Sequence, residues 1–299
     1  LGGTIAVTTD EGTGQSHAGV YNVATKKWRG LAPTPWEETS DVITPDGRSM
    51  IVRTNNDGRS TLSRVDLATM TKTDLALDPG RAAVAGLAAI APDGQHMLVT
   101  RSGADSPTML YSYDLAANRA APVVPLAMAS LAPATLPKSQ IVTYKSFDGT
   151  PISAIVTMPF NLKRDGSNPA IVMPHGGPTG QAQDGFSRYA TAFATRGYIV
   201  IQPNFRGSTG YGKPFQEANI KDLGGGDLKD TVAAKTFLVA SGYVDPKKVA
   251  PGIFEGAFQN SGQVCLAIKR LYVHESVYDE LCNELVAIAR NTVVDDGSK

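Results

Sequence analysis

Two stretches in the first half of the chain repeat each other, and this repeat restricts the possible folds more than any other feature. The segment Pro45-Asp46-Gly47 leads into a short apolar run, and Pro92-Asp93-Gly94 does the same 47 residues later. An Asp-Gly pair supplies the positive φ that a tight turn between antiparallel strands requires. In both copies a further strand follows and ends in Asp-Leu, at Asp66-Leu67 and Asp114-Leu115. The repeat therefore predicts units built from several short antiparallel strands.

A third, fainter copy lies nearer the start, where Val20-Tyr21-Asn22-Val23 follows a predicted strand at 2–8. A period of 40 to 50 residues with several strands per unit is typical of β-propeller blades. Three such units fit into residues 1–125, which is fewer than the four or so blades that close a ring. The alternative is a β-sandwich in which the similar turns are coincidental.

The pattern changes after Ala120–Pro137, a stretch interrupted by four prolines. Such a stretch cannot form a membrane-spanning helix, and we interpret it as a linker. Beyond it, apolar strands alternate with helical spacing, which is the order typical of an α/β sheet. The predicted strands are 141–146, 152–158, 170–173 and 198–201. The predicted helices are 186–196, ending before Gly197, and 228–240, with Asp227 and Asp230 in its first turn, where the helix dipole favours acids.

Five motifs follow one another in this region. They are Lys145–Thr150 (KSFDGT), Met173–Pro178 (MPHGGP), Asn204–Gly212 (NFRGSTGYG), Gly224–Asp230 (GGGDLKD) and Gly242–Val249 (GYVDPKKV). Their ordered series is similar to the prolyl oligopeptidase family of serine peptidases, in particular its dipeptidyl-peptidase and acylaminoacyl-peptidase branches. The resemblance spans residues 1–250. It implies a β-propeller ahead of an α/β-hydrolase domain, with short peptides as partners.

Gly176 and Gly177 are the predicted oxyanion residues. Two glycines after a strand leave backbone N–H groups uncovered by side chains, free to face a developing oxyanion. By the resemblance, the N–H of Gly177 is one such donor; the alternative is that both glycines only permit a tight turn. We expect His175 to be structural, because in this fold the catalytic histidine follows the nucleophile in the chain. Arg206 is expected to hold its loop or a nearby carboxylate.

The nucleophile of that family is missing. A strand after Asp245 should lead into the pentapeptide G-x-S-x-G, yet no such sequence occurs. The nearest match, Gly14–Ala18, ends in alanine and lies in a predicted blade loop. The remaining histidines are His17, His96 and His274, none of which is placed to serve as the base. Whether the chain is an enzyme is therefore uncertain, and as a peptidase it is expected to be inactive by itself.

The last residues resemble a different family. Gly252–Cys265 is similar to the active-site segment of aldehyde dehydrogenases, with a strand at 269–274 and a helix at 276–290 behind it. By this resemblance Cys265 is a nucleophile, whereas Cys282 is expected to pack. The family also needs NAD, but the dinucleotide pattern G-x-G-x-x-G is absent. We therefore predict no cofactor, unless the tail defines the function, and no metal site.

Together these patterns predict three parts. They are a partial propeller of about three blades (1–128), the N-terminal part of an α/β-hydrolase domain (129–250) and an αβ segment of foreign origin (251–299), joined near Ala250 and Pro251. The 28 basic and 28 acidic residues balance, which gives no electrostatic reason to bind nucleic acid or an anionic membrane. No leader or membrane span is predicted, and oligomeric state and compartment stay open. Besides an inactive peptidase fragment and a dehydrogenase fragment, a non-catalytic peptide-binding module is the third hypothesis.

Overall fold

The computed structural model describes residues 3–77, 84–123, 135–177, 179–246 and 278–291. Its first half is built from short antiparallel strands. The first unit is a three-stranded sheet. Two four-stranded units follow it, and a parallel pair between Ser60 and Val84 joins them into one eight-stranded sheet. Their strands are β1 (Thr4–Thr9), β2 (His17–Asn22) and β3 (Lys27–Gly30), then β4 (Glu37–Ile43), β5 (Ser49–Asn56), β6 (Arg59–Asp66) and β7 (Lys72–Asp74), then β8 (Val84–Ile90), β9 (His96–Gly103), β10 (Ser106–Asp114) and β11 (Arg119–Pro122).

The Asp-Gly turns lie where the sequence places them. Gly47 donates its N–H to the carbonyl of Thr44 at 2.8 Å, and Gly94 donates to Ala91 at 3.0 Å. Both glycines have a positive φ, 72° and 66°. The first turn joins β4 to β5 and the second joins β8 to β9, so the repeat in the sequence is a repeat of whole antiparallel units.

A second type of turn recurs in all three units, including the first unit, where the sequence repeat is faint. An Asx side chain at the end of β2, β6 and β10 accepts a backbone N–H from a residue two or three positions on, at 2.8 to 2.9 Å. Four residues after each Asx comes a non-glycine residue with positive φ. The pairs are Asn22 and Lys26, Asp66 and Met70, and Asp114 and Asn118.

The middle unit is buried on both faces. Met50 and Val52 of β5 contact Ala18 and Val20 of the first unit, whereas Ile51, between them, lies in a cluster with strands of the third unit. Because successive side chains of a strand point to opposite faces, this alternation means that neighbouring units pack face to face. Such stacking is the contact that propeller blades make, although the described strands do not close a ring.

The interpretation of Ala120–Pro137 as a linker is wrong at its start. Residues Arg119–Pro122 form β11, the last strand of the third unit, where Pro122 pairs with Tyr111 at the sheet edge. A proline is tolerated there because an edge strand has one side without a pairing partner. Residues 124–134 of the same stretch lie outside the described ranges.

The second half forms an α/β sheet. Its strands are β12 (Lys138–Lys145), β13 (Pro151–Met158), β14 (Ala170–Val172) and β15 (Ile199–Asn204), in the order β12-β13-β15-β14 with β14 parallel to β15. The helices are α1 (Arg188–Thr195), α2 (Lys213–Gln216), α3 (Gly226–Ala240) and α4 (Tyr278–Asn291). The core of this half joins Ile152, Ile199 and Ile201 of the sheet to Ala234 and Leu238 of α3.

Two helix starts differ from the sequence prediction for a local reason. The helix predicted from Phe186 begins at Arg188, because the hydroxyl of Ser187 caps it by accepting the N–H of Ala190 at 3.3 Å. The helix predicted from Leu228 begins at Gly226, whose N–H donates to the carboxylate of Asp222 at 2.8 Å. Gly197, with φ 94°, ends α1 as predicted.

After α3 the chain returns to the free side of β14. Val244 forms a parallel bridge with Asn168, and Asp245 donates its N–H to the carbonyl of Asn168 at 3.0 Å. The chain therefore starts a parallel pairing at the edge where the sheet would grow.

No helix within the described ranges is both long and apolar enough to cross a membrane.

Candidate functional site

The predicted oxyanion loop leaves the end of β14. Gly177 has φ 140°, and a Cβ there would lie 2.6 Å from the backbone nitrogen of Thr179, so only glycine fits. Gly177 is exposed, and its N–H has no hydrogen-bond partner among the described residues. The loop therefore holds an exposed glycine beyond the carboxyl end of a parallel strand, a place from which a backbone N–H can serve as an oxyanion donor.

His175 anchors this loop to the loop that follows β15. Its Nε2 lies 2.8 Å from the hydroxyl of Ser208, and its ring stacks on Phe205 with centroids 4.6 Å apart. Ser208 Oγ lies only 2.5 Å from the carbonyl oxygen of Phe205, a separation that requires a proton between the two oxygens. Ser208 therefore donates to Phe205. His175 has a second contact, from Nδ1 to the carbonyl oxygen of Gly176 at 3.0 Å, and a neutral ring has one N–H to donate to Ser208 or to this carbonyl. This geometry agrees with the structural role expected for His175.

The His175–Ser208 pair resembles a base and a nucleophile, but it cannot act as one. Ser208 has no exposed surface, and its proton is already donated to a backbone carbonyl. A nucleophile must reach substrate, so this serine supports the loop and does not attack. The pairing has no signal in the sequence beyond the position of Ser208 within a glycine-rich motif.

We predict that titration distinguishes His175 from His96. Burial lowers the pKa of His175 below its usual 6.5, whereas the hydrogen bond that His96 donates to Asp93 raises the pKa of the exposed His96 above it. Because folded His175 binds its proton less readily than the unfolded chain does, its contribution to stability is lost as pH falls from 6.5 toward its depressed pKa. NMR titration of the imidazole signals, assigned with His175→Gln and His96→Gln, measures both. A midpoint for His175 at or above that of His96 would contradict this environment.

Arg206 holds two carboxylates, as the sequence predicts. Its Nε and Nη2 donate to the two oxygens of Asp230 at 2.8 Å each, and its backbone N–H donates to the same carboxylate at 2.9 Å. Nη2 also reaches Asp148 at 3.0 Å, and Ser146 donates to Asp230 at 2.5 Å. Pairing with the carboxylates, first that of Asp230, raises the pKa of Arg206. This cluster ties α3, the β12–β13 turn and the loop after β15 together.

The position predicted for Asp230 is wrong. Since α3 starts at Gly226, Asp230 falls beyond the first helical turn, and it is fully buried rather than placed to interact with the helix dipole. Its charge is compensated by Arg206 instead. Asp227 does lie in the first turn, as predicted.

The loop after β15 also contacts the repeat units. Glu37, at the start of β4, accepts the N–H of Gly210 at 3.1 Å and that of Gly212 at 3.0 Å. Tyr211 between them donates its hydroxyl to Asp57 at 2.9 Å. A cavity of about 480 Å³ opens beside these contacts, lined by residues of both halves that include Gln15, Arg206 and Gly212.

A β-hairpin forms the second contact between the halves. The turn between β5 and β6 carries Gly58, whose carbonyl accepts the N–H of Asp184 at 2.8 Å. Arg59 donates to the buried carboxylate of Asp184 at 2.8 Å, and Asn55 donates to Gln181 at 2.7 Å. We call this set, together with the Glu37 and Tyr211 contacts, the joint.

The two predicted catalytic elements are not brought together within the described residues. Gly176 and Gly177 lie at the end of β14, whereas Cys265, the predicted strand at 269–274 and the presumed junction at 250–251 fall outside the described ranges. Cys282 lies on α4 as a free, half-buried thiol, and the helix predicted at 276–290 is observed at 278–291.

Blade-like units that contact an α/β sheet with a His-Gly-Gly loop are the arrangement expected of a propeller ahead of an α/β-hydrolase domain. The comparisons with known proteins agree with this fold. Residues 184–252 match the sequence model of the prolyl oligopeptidase family. Dipeptidyl-peptidase 5 of Aspergillus fumigatus is 30% identical over 252 residues, which cover 80% of this chain and 34% of that protein. The predicted relation to the prolyl oligopeptidase family of serine peptidases is therefore confirmed.

The solved structures agree in fold. A puromycin-hydrolyzing peptidase of Mycobacterium tuberculosis superposes with a TM-score of 0.72 at 24% identity, over 82% of this chain and 38% of that one. The chain thus spans about a third of the length of the peptidase relatives it matches. A probable aldehyde dehydrogenase of Pseudomonas is 51% identical over 51 residues, which is 17% of this chain and 10% of that protein. The second resemblance is thus a match to a short segment.

Proposed function

We propose that this chain is a segment of a serine-type peptidase that acts on short peptides, and that it contributes the oxyanion loop without the nucleophile. The observation that carries the proposal is the exposed Gly177 in the loop after β14, whose N–H has no hydrogen-bond partner among the described residues. It lies at the carboxyl end of a parallel strand, where open α/β sheets hold their ligands. The peptidase names of the relatives support peptides as the substrate class.

Inactivity of the isolated chain is part of the proposal. The sequence holds no G-x-S-x-G elbow, and Ser208, which alone among the described serines hydrogen-bonds to a histidine, is fully buried. Oxyanion donors without a nucleophile and a base retain only a small part of an enzyme's rate enhancement. The proposal includes a partial propeller and a partial hydrolase domain, and it requires no cofactor.

Residues 251–299 are proposed to be of foreign origin and related to the active-site segment of an aldehyde dehydrogenase. The 51% identity over 51 residues favours this second candidate function, a thiol oxidoreductase fragment in which Cys265 is the nucleophile. The glycine-rich loop after β15 does not fit the dinucleotide pattern, because Gly207, Gly210 and Gly212 are spaced G-x-x-G-x-G and not G-x-G-x-x-G. An NAD-dependent activity is therefore the weaker candidate.

The test uses the purified full chain. We expect no hydrolysis of a chromogenic dipeptide or acyl-amino-acid substrate above the rate given by a Gly177→Pro variant, since φ of 140° at this site is closed to proline. We also expect no aldehyde-dependent NADH formation relative to Cys265→Ala. Peptide turnover that exceeds the Gly177→Pro rate would overturn the claim of inactivity. NADH formation lost in Cys265→Ala would favour the second candidate instead.

A further inference from the structure

The carboxylate of Glu37 is held by backbone groups and not by a basic side chain. Its Oε2 accepts the N–H of Gly210 at 3.1 Å, and its Oε1 accepts the N–H of Gly212 at 3.0 Å. Among the described residues no lysine, arginine or histidine forms an ion pair with it. Each oxygen therefore has its own donor, and both donors come from a loop more than 170 residues away in the sequence.

The loop can present these two donors only because both positions are glycine. Gly210 and Gly212 have φ of 94° and 85°. A Cβ at Gly210 would lie 2.4 Å from Gln181 Nε2, and one at Gly212 would lie 2.6 Å from Gln15 Oε1. Backbone N–H groups gathered by turns of left-handed residues form concavities that bind anions. We call the N–H groups of Gly210 and Gly212 the carboxylate nest.

A cavity beside the nest leaves room for a larger ligand. The cavity of about 480 Å³ is lined by Gly212 itself, by Tyr211 and by Arg206, so a group attached to the carboxylate has room next to it. Gln181, whose Nε2 borders Gly210, is held by hydrogen bonds with Asn55 and Tyr211, so the wall of the nest is fixed in place.

We propose that the carboxylate nest is a receptor for carboxylate ligands, that Glu37 fills it as an internal ligand, and that the terminal carboxylate of a short peptide competes with Glu37 for it. A carboxylate fits because it is planar and offers two oxygens to two separately placed N–H donors. In the native chain Glu37 occupies the nest in preference to a free carboxylate, because it is covalently attached and held by β4 at a high effective concentration. This proposal does not depend on peptide hydrolysis.

The experiment compares the native chain with Glu37→Ala, using selective ¹⁵N-glycine labelling to follow the amides of Gly210 and Gly212. The probe is N-acetylglycylglycine with a free carboxylate, and its carboxamide analogue is the matched control. We expect Glu37→Ala to bind the acid at least tenfold more tightly than the native chain, with shifts at these two amides, and not to bind the carboxamide. Equal affinities of the two proteins, or equal binding of acid and amide, would overturn the proposal.

Glu37→Gln provides a second test in case Glu37→Ala does not fold. Its amide matches the shape of the native side chain but directs an N–H₂ toward one of the two donors, so we expect the acid probe to bind it more tightly than the native chain as well. In the native chain, high acetate at constant ionic strength should shift the amide signals of Gly210 and Gly212 relative to chloride, because acetate replaces Glu37 as their acceptor. The absence of both effects would contradict competition for the nest.

Discussion

Asp230→Ala is expected to destabilise the chain by about 3 kcal/mol, because removal of one partner of a buried ion pair leaves an uncompensated charge. Asp230 is fully buried, and Arg206 donates to it from Nε, Nη2 and the backbone nitrogen. The variant leaves the guanidinium, whose side chain is 14% exposed, with Asp148 as its remaining carboxylate. The variant also removes the acceptor of the hydrogen bond that the Ser146 hydroxyl donates. Urea unfolding followed by helical circular dichroism measures the loss.

Asp227→Ala is the matched control on the same helix. Asp227 lies in the first turn of α3, where an acid interacts with the helix dipole and is worth about 0.3–1 kcal/mol. We expect the two variants to differ by about 2 kcal/mol or more. If Asp230→Ala costs no more stability than Asp227→Ala, the cluster around Arg206 does not hold α3 to the sheet.

Gly207→Ala is expected to be the most damaging of the glycine substitutions in the loop after β15. Gly207 has φ 105°, and a Cβ there would lie 2.2 Å from Nδ2 of the buried Asn219. Left-handed backbone at a non-glycine residue costs about 1–2 kcal/mol, and overpacking in a filled interior adds about 1–3 kcal/mol. The sum predicts a loss of about 2–5 kcal/mol in the free energy of unfolding.

Gly149→Ala separates the two contributions. Gly149 has a similar φ of 85°, but nothing lies within 4 Å of the position a Cβ would take. This variant should therefore lose only the conformational part, about 1–2 kcal/mol, in the same denaturation experiment. Equal losses for Gly149→Ala and Gly207→Ala would mean that the contact with Asn219 relaxes without cost.

Local patterns predicted the parts of this fold that depend on neighbouring residues. The Asp-Gly turns, the strand ends at Asp66 and Asp114 and the C-terminal Gly197 of α1 are all where the sequence places them. Each depends on residues within a few positions, for which turn chemistry is specific. Boundaries were less accurate, because the caps at Ser187 and Asp222 lie outside the periodic apolar pattern.

Contacts between distant residues were not predictable in this way. Nothing in the sequence around Glu37 marks it as the partner of Gly210 and Gly212, and nothing around Ser208 marks it as the partner of His175. The role of Arg206 was anticipated as holding a carboxylate, but not the identity of Asp230 and Asp148. Periodicity reports which face of an element is buried, and it carries no information on which distant polar group meets it.

The joint also has a kinetic consequence. Its hydrogen bonds link residues that lie far apart along the chain: 125 positions for Arg59 and Asp184, 154 for Asp57 and Tyr211, and 175 for Glu37 and Gly212. Contacts of such high sequence separation form slowly, because the chain entropy of closing long loops must be overcome before they stabilise anything. The hairpins of the repeat units are local and are available early. Association of the two halves is therefore the late step of folding, and the glycine-rich loop acquires its final shape only when the repeat units have formed.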